Sequence, residues 1–191
     1  MKLHRLLIAS VFVLLFTGCI TDIGPSAKQN PPPARPLSSF SSFVLEPLVA
    51  AHSAGEIHQR AFTRIQQNVT LHVGALLQSW NSQAVGSGGT LVVSPTILEL
   101  KFVSGGTRFF AGAFAGSSAV VMKLRLVDQS TGQEIANPEF FQRAAAMGGN
   151  YSLGATDNDM LSRIARVATR YLEENYAQAV GGPMSGYSGK N

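Results

Sequence analysis

Two segments in which apolar and charged side chains alternate constrain the fold of this chain more than any other feature. The first runs from Thr90 to Ser104, where Leu98, Leu100 and Phe102 alternate with Glu99 and Lys101. In the second, from Ser117 to Val127, the even-numbered positions from 120 to 126 are apolar and positions 123 and 125 are basic. Successive strand residues point to opposite faces of a sheet, so each segment predicts a strand with one buried face. Pro95 cannot donate a ladder hydrogen bond and predicts a bulge or an unpaired position in the first strand.

Two further segments have the period of an α-helix. A capping-box pattern at Ser53 and Glu56 precedes apolar residues at steps of three and four, which predicts a long amphipathic helix ending near Asn81. Thr156 caps a second predicted helix, whose apolar stripe includes Leu161 and Ile164. Each stripe needs an apolar surface to cover it.

The order of these elements predicts the fold class. A short apolar strand at Phe43–Val49 precedes the long helix, and a third sheet strand at Gln133–Met147 follows a hairpin turn at Asp128–Gly132. Asn137–Pro138 interrupts that last strand and places it at an edge. We therefore expect an α+β domain in the order β-α-β-β-β-α. Its four-stranded, largely antiparallel sheet carries both helices on one face.

Composition predicts the limits of this domain. Residues 19–42 contain five prolines and five serines, which predicts a tether that spans on the order of 25 Å as coil and ~70 Å when fully extended. Residues 43–180 form the single predicted domain, and the Gly/Ser-rich residues 181–191 are expected to be disordered.

The N-terminus has the pattern of an export signal. A basic head with Lys2 and Arg5 precedes an apolar run from Leu6 to Phe16, and residues 1–18 end just before Cys19, the single cysteine of the chain. The run is shorter than the roughly 20 residues of a membrane-spanning helix. A lone cysteine in an exported chain cannot form an internal disulfide, so acylation is its simplest use. The alternative is an ordinary cleaved signal with an incidental cysteine.

The residues Leu15-Phe16-Thr17-Gly18-Cys19 resemble a bacterial lipobox. That resemblance implies cleavage before Cys19, attachment of acyl chains such as palmitate to it, and lipid anchoring in a Gram-negative cell envelope. Ile20 stands where an aspartate would imply retention in the inner membrane, so the resemblance implies the periplasmic face of the outer membrane.

The charge of the chain argues against nucleic acid as a partner. The 15 basic and 11 acidic side chains give a formal net charge of +4, and removal of the signal with Lys2 and Arg5 reduces it to +2. Nucleic-acid-binding domains carry clustered positive charge, which this small excess does not supply.

Between the two best strands lies a glycine-rich segment with Phe109, Phe110 and Phe114. It lacks the Gly-Lys-Ser/Thr ending of a phosphate loop and does not precede a helix. One interpretation is a long twisted hairpin packed against another element. The other is an exposed apolar hairpin that contacts a partner or a lipid surface.

Gly105–Gly132 resembles a group of uncharacterised proteobacterial lipoproteins with a domain of unknown function. The anchor and strand order look more loosely like curli-secretion and penicillin-binding-protein-activator lipoproteins. The resemblance implies a fold and leaves the activity open.

The remaining candidate residues are basic or metal-ligand types. Arg163, Arg166 and Arg170 recur on the last helix and form either a solvated face or a stripe that meets lipid phosphates. The histidines do not converge as a zinc site requires, and no Gly-x-Ser-x-Gly elbow marks a hydrolase. We therefore expect no metal, cofactor or catalytic residues.

These observations favour a non-enzymatic envelope lipoprotein, an accessory or assembly module that binds other envelope proteins or itself. The alternative is a lipid- or glycolipid-binding lipoprotein, because lipopolysaccharide-assembly lipoproteins have a comparable layout of two helices and four strands. An uncharacterised hydrolase is the third possibility.

Overall fold

The computed structural model describes residues 24–51, 56–83, 88–101, 118–144 and 155–185. These ranges contain short strands at both ends, a central mixed sheet and two helical rods. The first rod consists of α1 (Glu56–Val69), a π-helical turn (Thr70–Gly74) and α2 (Ala75–Gln83), and the second is α3 (Ala155–Glu174). The strands are β1 (Gln29–Asn30), β2 (Ser42–Leu45), β3 (Val49–Ala50), β4 (Thr90–Lys101), β5 (Ala119–Asp128), β6 (Glu134–Ala136), β7 (Glu139–Arg143) and β8 (Gly182–Pro183).

The central sheet confirms the α+β class and corrects the strand count. It has six strands, not four, because each edge row is divided in two. β2 and β3 both pair in parallel with β4, while β6 and β7 both pair antiparallel with β5. Pro47 separates the first pair and Asn137–Pro138 the second. A proline has no N–H to donate, so a strand that reaches one is interrupted there.

One face of the sheet carries both helical rods. Buried side chains of α1 and α3, such as Ile65 and Ile164, belong to the same apolar cluster as Leu124 and Leu126 of β5. α2 contacts β2, whereas α3 contacts β5 and β7. The two rods therefore cover different halves of the sheet, and both predicted stripes are buried.

The π-helical turn has a cause in the sequence. The buried apolar positions of the first rod are four residues apart from Ala61 to Leu77 (Ala61, Ile65, Val69, Val73 and Leu77). In an α-helix of 3.6 residues per turn, each four-residue step rotates the side chain by ~40° away from the core. A π-helical turn takes up one additional residue, and it thereby returns the stripe to the core side.

A bulge changes the predicted faces of β4. The register shifts between Ile97 and Glu99, so Leu98 joins a small cluster with Val121 and Phe141, separate from the main core that Leu100 contacts. The prediction that Leu98 and Leu100 share one face was therefore wrong. Pro95, the predicted cause of irregularity, lies opposite Leu124 in the regular part of the ladder.

The chain before β2 belongs to the fold. We call residues 24–40 the strap, because they run along the β6–β7 edge and then to the end of α3. Within the strap, Leu37 is 0% exposed and Phe40 is 3% exposed. The tether predicted for residues 19–42 is therefore wrong for this part of the segment, since apolar residues among the prolines find buried positions.

The C-terminal segment is also ordered further than predicted. β8 pairs antiparallel with β1 of the strap, and Met184 is 2% exposed. The N–H of Phe141 in β7 donates to the carbonyl oxygen of Met184 at 2.8 Å. We call the β1–β8 pairing the clasp. The prediction of disorder from residue 181 is wrong for residues 181–184.

Candidate functional site

The residues predicted to carry function fall into two groups. Cys19, Phe109, Phe110 and Phe114 lie outside the described residues, so lipidation and the apolar hairpin stay predictions. Arg163, Arg166 and Arg170 lie on α3 and can be located.

Arg163 is held inside the fold. Its Nε donates to Oε1 of Gln142 at 3.2 Å, and one of its terminal nitrogens donates to the carbonyl oxygen of Arg143 at 3.1 Å. Another terminal nitrogen pairs with Asp159, one turn earlier on the helix. The side chain is only 18% exposed. These contacts connect α3 to β7, and they use most of the donors that an external phosphate would need.

The other two arginines have different surroundings. Nε of Arg170 donates to Oε1 of Glu174 at 2.6 Å, which is a helical pair four residues apart. Arg166 is exposed and lies close enough to His72 to influence its titration. Arg166 and Arg170 have exposed side chains. The binding of lipid phosphates by these arginines stays a prediction.

His72 occupies the π-helical turn, at the contact between the first rod and α3. Partial burial lowers the pKa of His72 below its ordinary value of 6.5, and the positive charge of Arg166 lowers this pKa further. The surroundings of His72 in the native structure therefore disfavour its protonation.

An open depression lies on the outer side of α1 and extends onto the π-helical turn. Its volume is about 470 Å³, and uncharged side chains line it: Thr63, Gln66, Gln67, Thr70 and Leu71. Leu71 is 63% exposed. An exposed leucine amid uncharged polar side chains suits a protein contact, because such groups cost little to desolvate compared with charges.

An ion pair attaches the strap to the turn after β5. Arg35 donates to Oδ2 of Asp128 at 2.7 Å, and its guanidinium carbon lies 4.2 Å from the ring centroid of Phe40. The Ser130 hydroxyl donates to Oδ1 of Asp128 at 2.6 Å. The hydrogen bonds from Ser130, followed by one from Thr131 and the charge of Arg35, lower the pKa of Asp128 against the opposing effect of desolvation.

Asparagine side chains protect both edges of the sheet. The Asn81 side chain of α2 accepts from the N–H of Phe43 and donates to its carbonyl oxygen, both at 2.8 Å. Asn30 of the strap makes the same pair of bonds with Glu139 of β7, again at 2.8 Å. Unpaired edge groups would otherwise invite strand addition by another chain. These two positions are therefore closed to that mode of binding.

In the described part of the chain, no three His, Cys, Asp or Glu side chains gather so that they could hold a metal ion. None of the helices in the described ranges is both long and apolar enough to cross a bilayer.

Sequence reasoning missed the strap and its asparagines. Asn30 in the strap and Asn81 in α2 share no motif, and their partners Glu139 and Phe43 are 109 and 38 residues away in sequence. Asn175, at the end of α3, bonds to nearby residues, but no local pattern marks it as buried. Leu71 did carry a signal, since it is an apolar residue among the polar positions of a predicted amphipathic helix.

Neither family models nor curated proteins match this chain. Solved structures with a similar arrangement include a PelC dodecamer from Paraburkholderia phytofirmans (14% identity, 72% of this chain and 92% of that chain, TM-score 0.38). A minor lipoprotein from Acinetobacter baumannii has 11% identity over 71% of this chain and 94% of its own, with TM-score 0.37. Lipoprotein GNA1162 from Neisseria meningitidis has 14% identity over 65% of this chain and 96% of its own, with TM-score 0.32. Similarities this low carry no argument about function.

Proposed function

We propose that this protein is a lipid-anchored component of a bacterial cell envelope that acts without catalysis, through contacts with other envelope proteins or with its own copies. The observation that carries the proposal is the apolar run that ends in Leu15-Phe16-Thr17-Gly18-Cys19. Acyl chains on Cys19 contribute about 0.8 kcal/mol per buried CH₂, so two or three chains hold a protein on a membrane durably. The periplasmic face of the outer membrane is the proposed location.

Lipidation is tested on the full chain expressed in a Gram-negative host. The mature protein is expected to begin at Cys19, to carry the mass of its acyl chains and to float with membranes. Cys19→Ala is expected to lose both the acyl mass and the membrane association. Thr17→Ser is the matched control, because it keeps a small residue beside the cleavage point and is expected to be processed normally. Membrane association of Cys19→Ala equal to that of the natural chain would contradict the proposal.

The contact surface that we propose is the outer side of α1 around Leu71. Its support is the exposed leucine and the open, uncharged depression beside it. A photo-crosslinking residue at position 71 is expected to capture a recurrent protein partner, or a second copy, in intact membranes. The same residue at Gln129, in the exposed turn after β5, is the control and is expected to capture less. Cross-links to lipid or glycan without protein would instead favour a lipid-binding role.

A further inference from the structure

We infer that the clasp sets the orientation of the domain on the membrane, with the β7 edge facing the lipid surface and the outer side of α1 facing away. The inference rests on the proposed lipidation of Cys19 and goes beyond it, because it names the part of the fold that lies against the bilayer.

A short length of chain connects the anchor to the fold. Gln29, where β1 begins, is ten positions after Cys19. Ten residues span at most ~36 Å when fully extended. The sequence alone suggested a free tether as far as residue 42, with roughly twice that reach. The anchor therefore keeps β1 within ~36 Å of the membrane surface, about half the reach of a tether that ends at residue 42.

The strap enters the fold beside Glu139 of β7. The N–H of Ser26 donates to the Glu139 carboxylate at 3.3 Å. The Asn30 side chain forms hydrogen bonds with both the N–H and the carbonyl oxygen of Glu139. The clasp also holds this entry point. The N–H of Met184 donates to the carbonyl oxygen of Lys28, and the carbonyl oxygen of Met184 accepts from the N–H of Phe141. The chain from the anchor therefore arrives at the β7 edge, and it is fixed there.

A buried network makes this entry point firm. The Tyr171 hydroxyl of α3 donates to the carbonyl oxygen of Pro31 at 2.9 Å. Burial raises the pKa of Tyr171 to about 12, so this donor keeps its proton at neutral pH. A Cβ added at Gly181 would lie 2.5 Å from the carbonyl oxygen of Asn30, which shows how closely the two segments approach.

The surface around the entry suits a lipid interface. Lys28 is exposed in the strap, and Val180, which leads into β8, is 58% exposed. A cation favours an anionic membrane surface, and an exposed apolar side chain favours the boundary with the acyl chains. Glu139 is the opposing charge at this edge, and its carboxylate accepts the N–H of Ser26.

α3 lies between the first rod and β7, since α1 and the π-helical turn contact α3 and α3 contacts β7. α3 contacts β5 and β7, whereas α2, at the end of the first rod, contacts β2 at the opposite edge of the sheet. Leu71 projects from the first rod into solvent. With β7 toward the membrane, the depression around Leu71 is open to partners in the periplasm.

The test uses acylated full-length protein in proteoliposomes of phosphatidylethanolamine and phosphatidylglycerol. Single cysteines replace Lys28 and Leu71 in separate chains and carry a thiol-reactive fluorophore. The acylated Cys19 does not react with the label. A short-range quencher on lipid headgroups is expected to reduce fluorescence about twofold more at position 28 than at position 71, because the connection reaches at most ~36 Å.

Equal quenching at the two positions, or stronger quenching at position 71, would overturn the orientation while the acyl mass of the same sample upholds the lipidation. Insertion of about 15 Gly/Ser residues between Cys19 and Gly24 lengthens the connection and is expected to reduce the difference. An undiminished difference would overturn the short connection as its cause. A mature chain without acyl mass would overturn the proposed function and this inference together.

Discussion

Asn175 is fully buried where α3 ends, and its side chain makes four hydrogen bonds. Nδ2 donates to the carbonyl oxygens of Tyr171 at 2.7 Å and Gly181 at 2.9 Å. Oδ1 accepts from the N–H groups of Val180 and Gly181, both at 2.8 Å. The residue satisfies both of its polar atoms and holds the chain that leads to β8, so one side chain connects the helix end to the clasp.

Replacement of Asn175 by alanine is expected to lower the free energy of unfolding by about 3 kcal/mol, because buried backbone groups lose their partners. Urea unfolding followed by circular dichroism measures this change. Asn137→Ala is the matched control, since the Oδ1 atom of Asn137 is buried without a hydrogen-bond partner. An equal loss in both variants would show that the bonds of Asn175 carry no special stability.

His72 predicts a pH dependence of stability. Its native pKa is below the ordinary value of 6.5. Between the native pKa and 6.5, the unfolded chain binds more protons than the native chain, so stability rises with pH in that window. We expect the free energy of unfolding to fall as pH decreases through 6.5. Denaturant titrations across this range measure the effect, and His72→Gln is expected to weaken it. A His72→Gln chain with the same pH dependence would contradict this assignment.

At the scale of elements, the first rod combines a helical sequence with an irregular turn. Its buried apolar residues are four positions apart from Ala61 to Leu77, and the turn at Thr70–Gly74 compensates for the resulting rotation. The amphipathic pattern was sufficient to predict a long helix. The π-helical turn is a consequence of the spacing within that pattern, which simple amphipathicity does not reveal.

Deletion of Leu71 is expected to be tolerated. Without it the stripe follows steps of four and three residues, which match a continuous α-helix, so we expect the free energy of unfolding to change by less than about 1 kcal/mol. Deletion of Gln66 within α1 is the comparison. If the π-helical turn persists, this deletion rotates Ala61 and Ile65 by ~100° relative to the rest of the stripe; if the turn is lost, it displaces the buried Asn68 and Val69 instead. It is therefore expected to be more harmful than deletion of Leu71. Thermal unfolding of both chains tests this, and equal damage would count against the compensation.

The clasp is a second element whose strength can be measured. Gly181 has φ +79°, and a Cβ there would lie 2.5 Å from the carbonyl oxygen of Asn30. Gly181→Ala is expected to cost about 2 kcal/mol or more and to increase hydrogen exchange in residues 28–35. Gly24→Ala is the control, since nothing lies within 4 Å of its added Cβ. Unchanged exchange in Gly181→Ala would show that the clasp does not hold the strap.

For the whole molecule, the strap makes the segment before β2 part of the folding unit. The N–H groups of Ala34 and Leu37 donate to the carbonyl oxygens of Ile135 at 2.8 Å and Asn175 at 3.0 Å. Together with Asn30 and Arg35, these contacts join the strap to the edge of the sheet and to the end of α3. The domain therefore begins well before the boundary predicted at residue 43.

A chain that begins at residue 43 is expected to be much less stable than one that begins at residue 24. Full burial of a Leu or Phe side chain contributes about 1.5–3 kcal/mol, and the shorter chain loses both Leu37 and Phe40. That loss is a large part of the 5–15 kcal/mol typical of a domain. Urea unfolding of the two chains provides the measurement. Equal midpoints would mean that the strap lies on a domain that is already complete.

The sequence by itself determined the α+β class, the two helical rods, the principal strands and the candidate anchor at Cys19. Those features depend on local periodicity or on a contiguous motif. Both can be recognised in the sequence, because the helix and strand periods follow from short-range backbone geometry. Only the tertiary structure decided how the edge strands pair, where the strap lies and that the clasp forms. Asn30 and Glu139 are 109 residues apart, and Tyr171 and Pro31 are 140 apart. Proline-rich and glycine-rich segments have no period of their own, so their conformation depends on the distant surfaces that they contact.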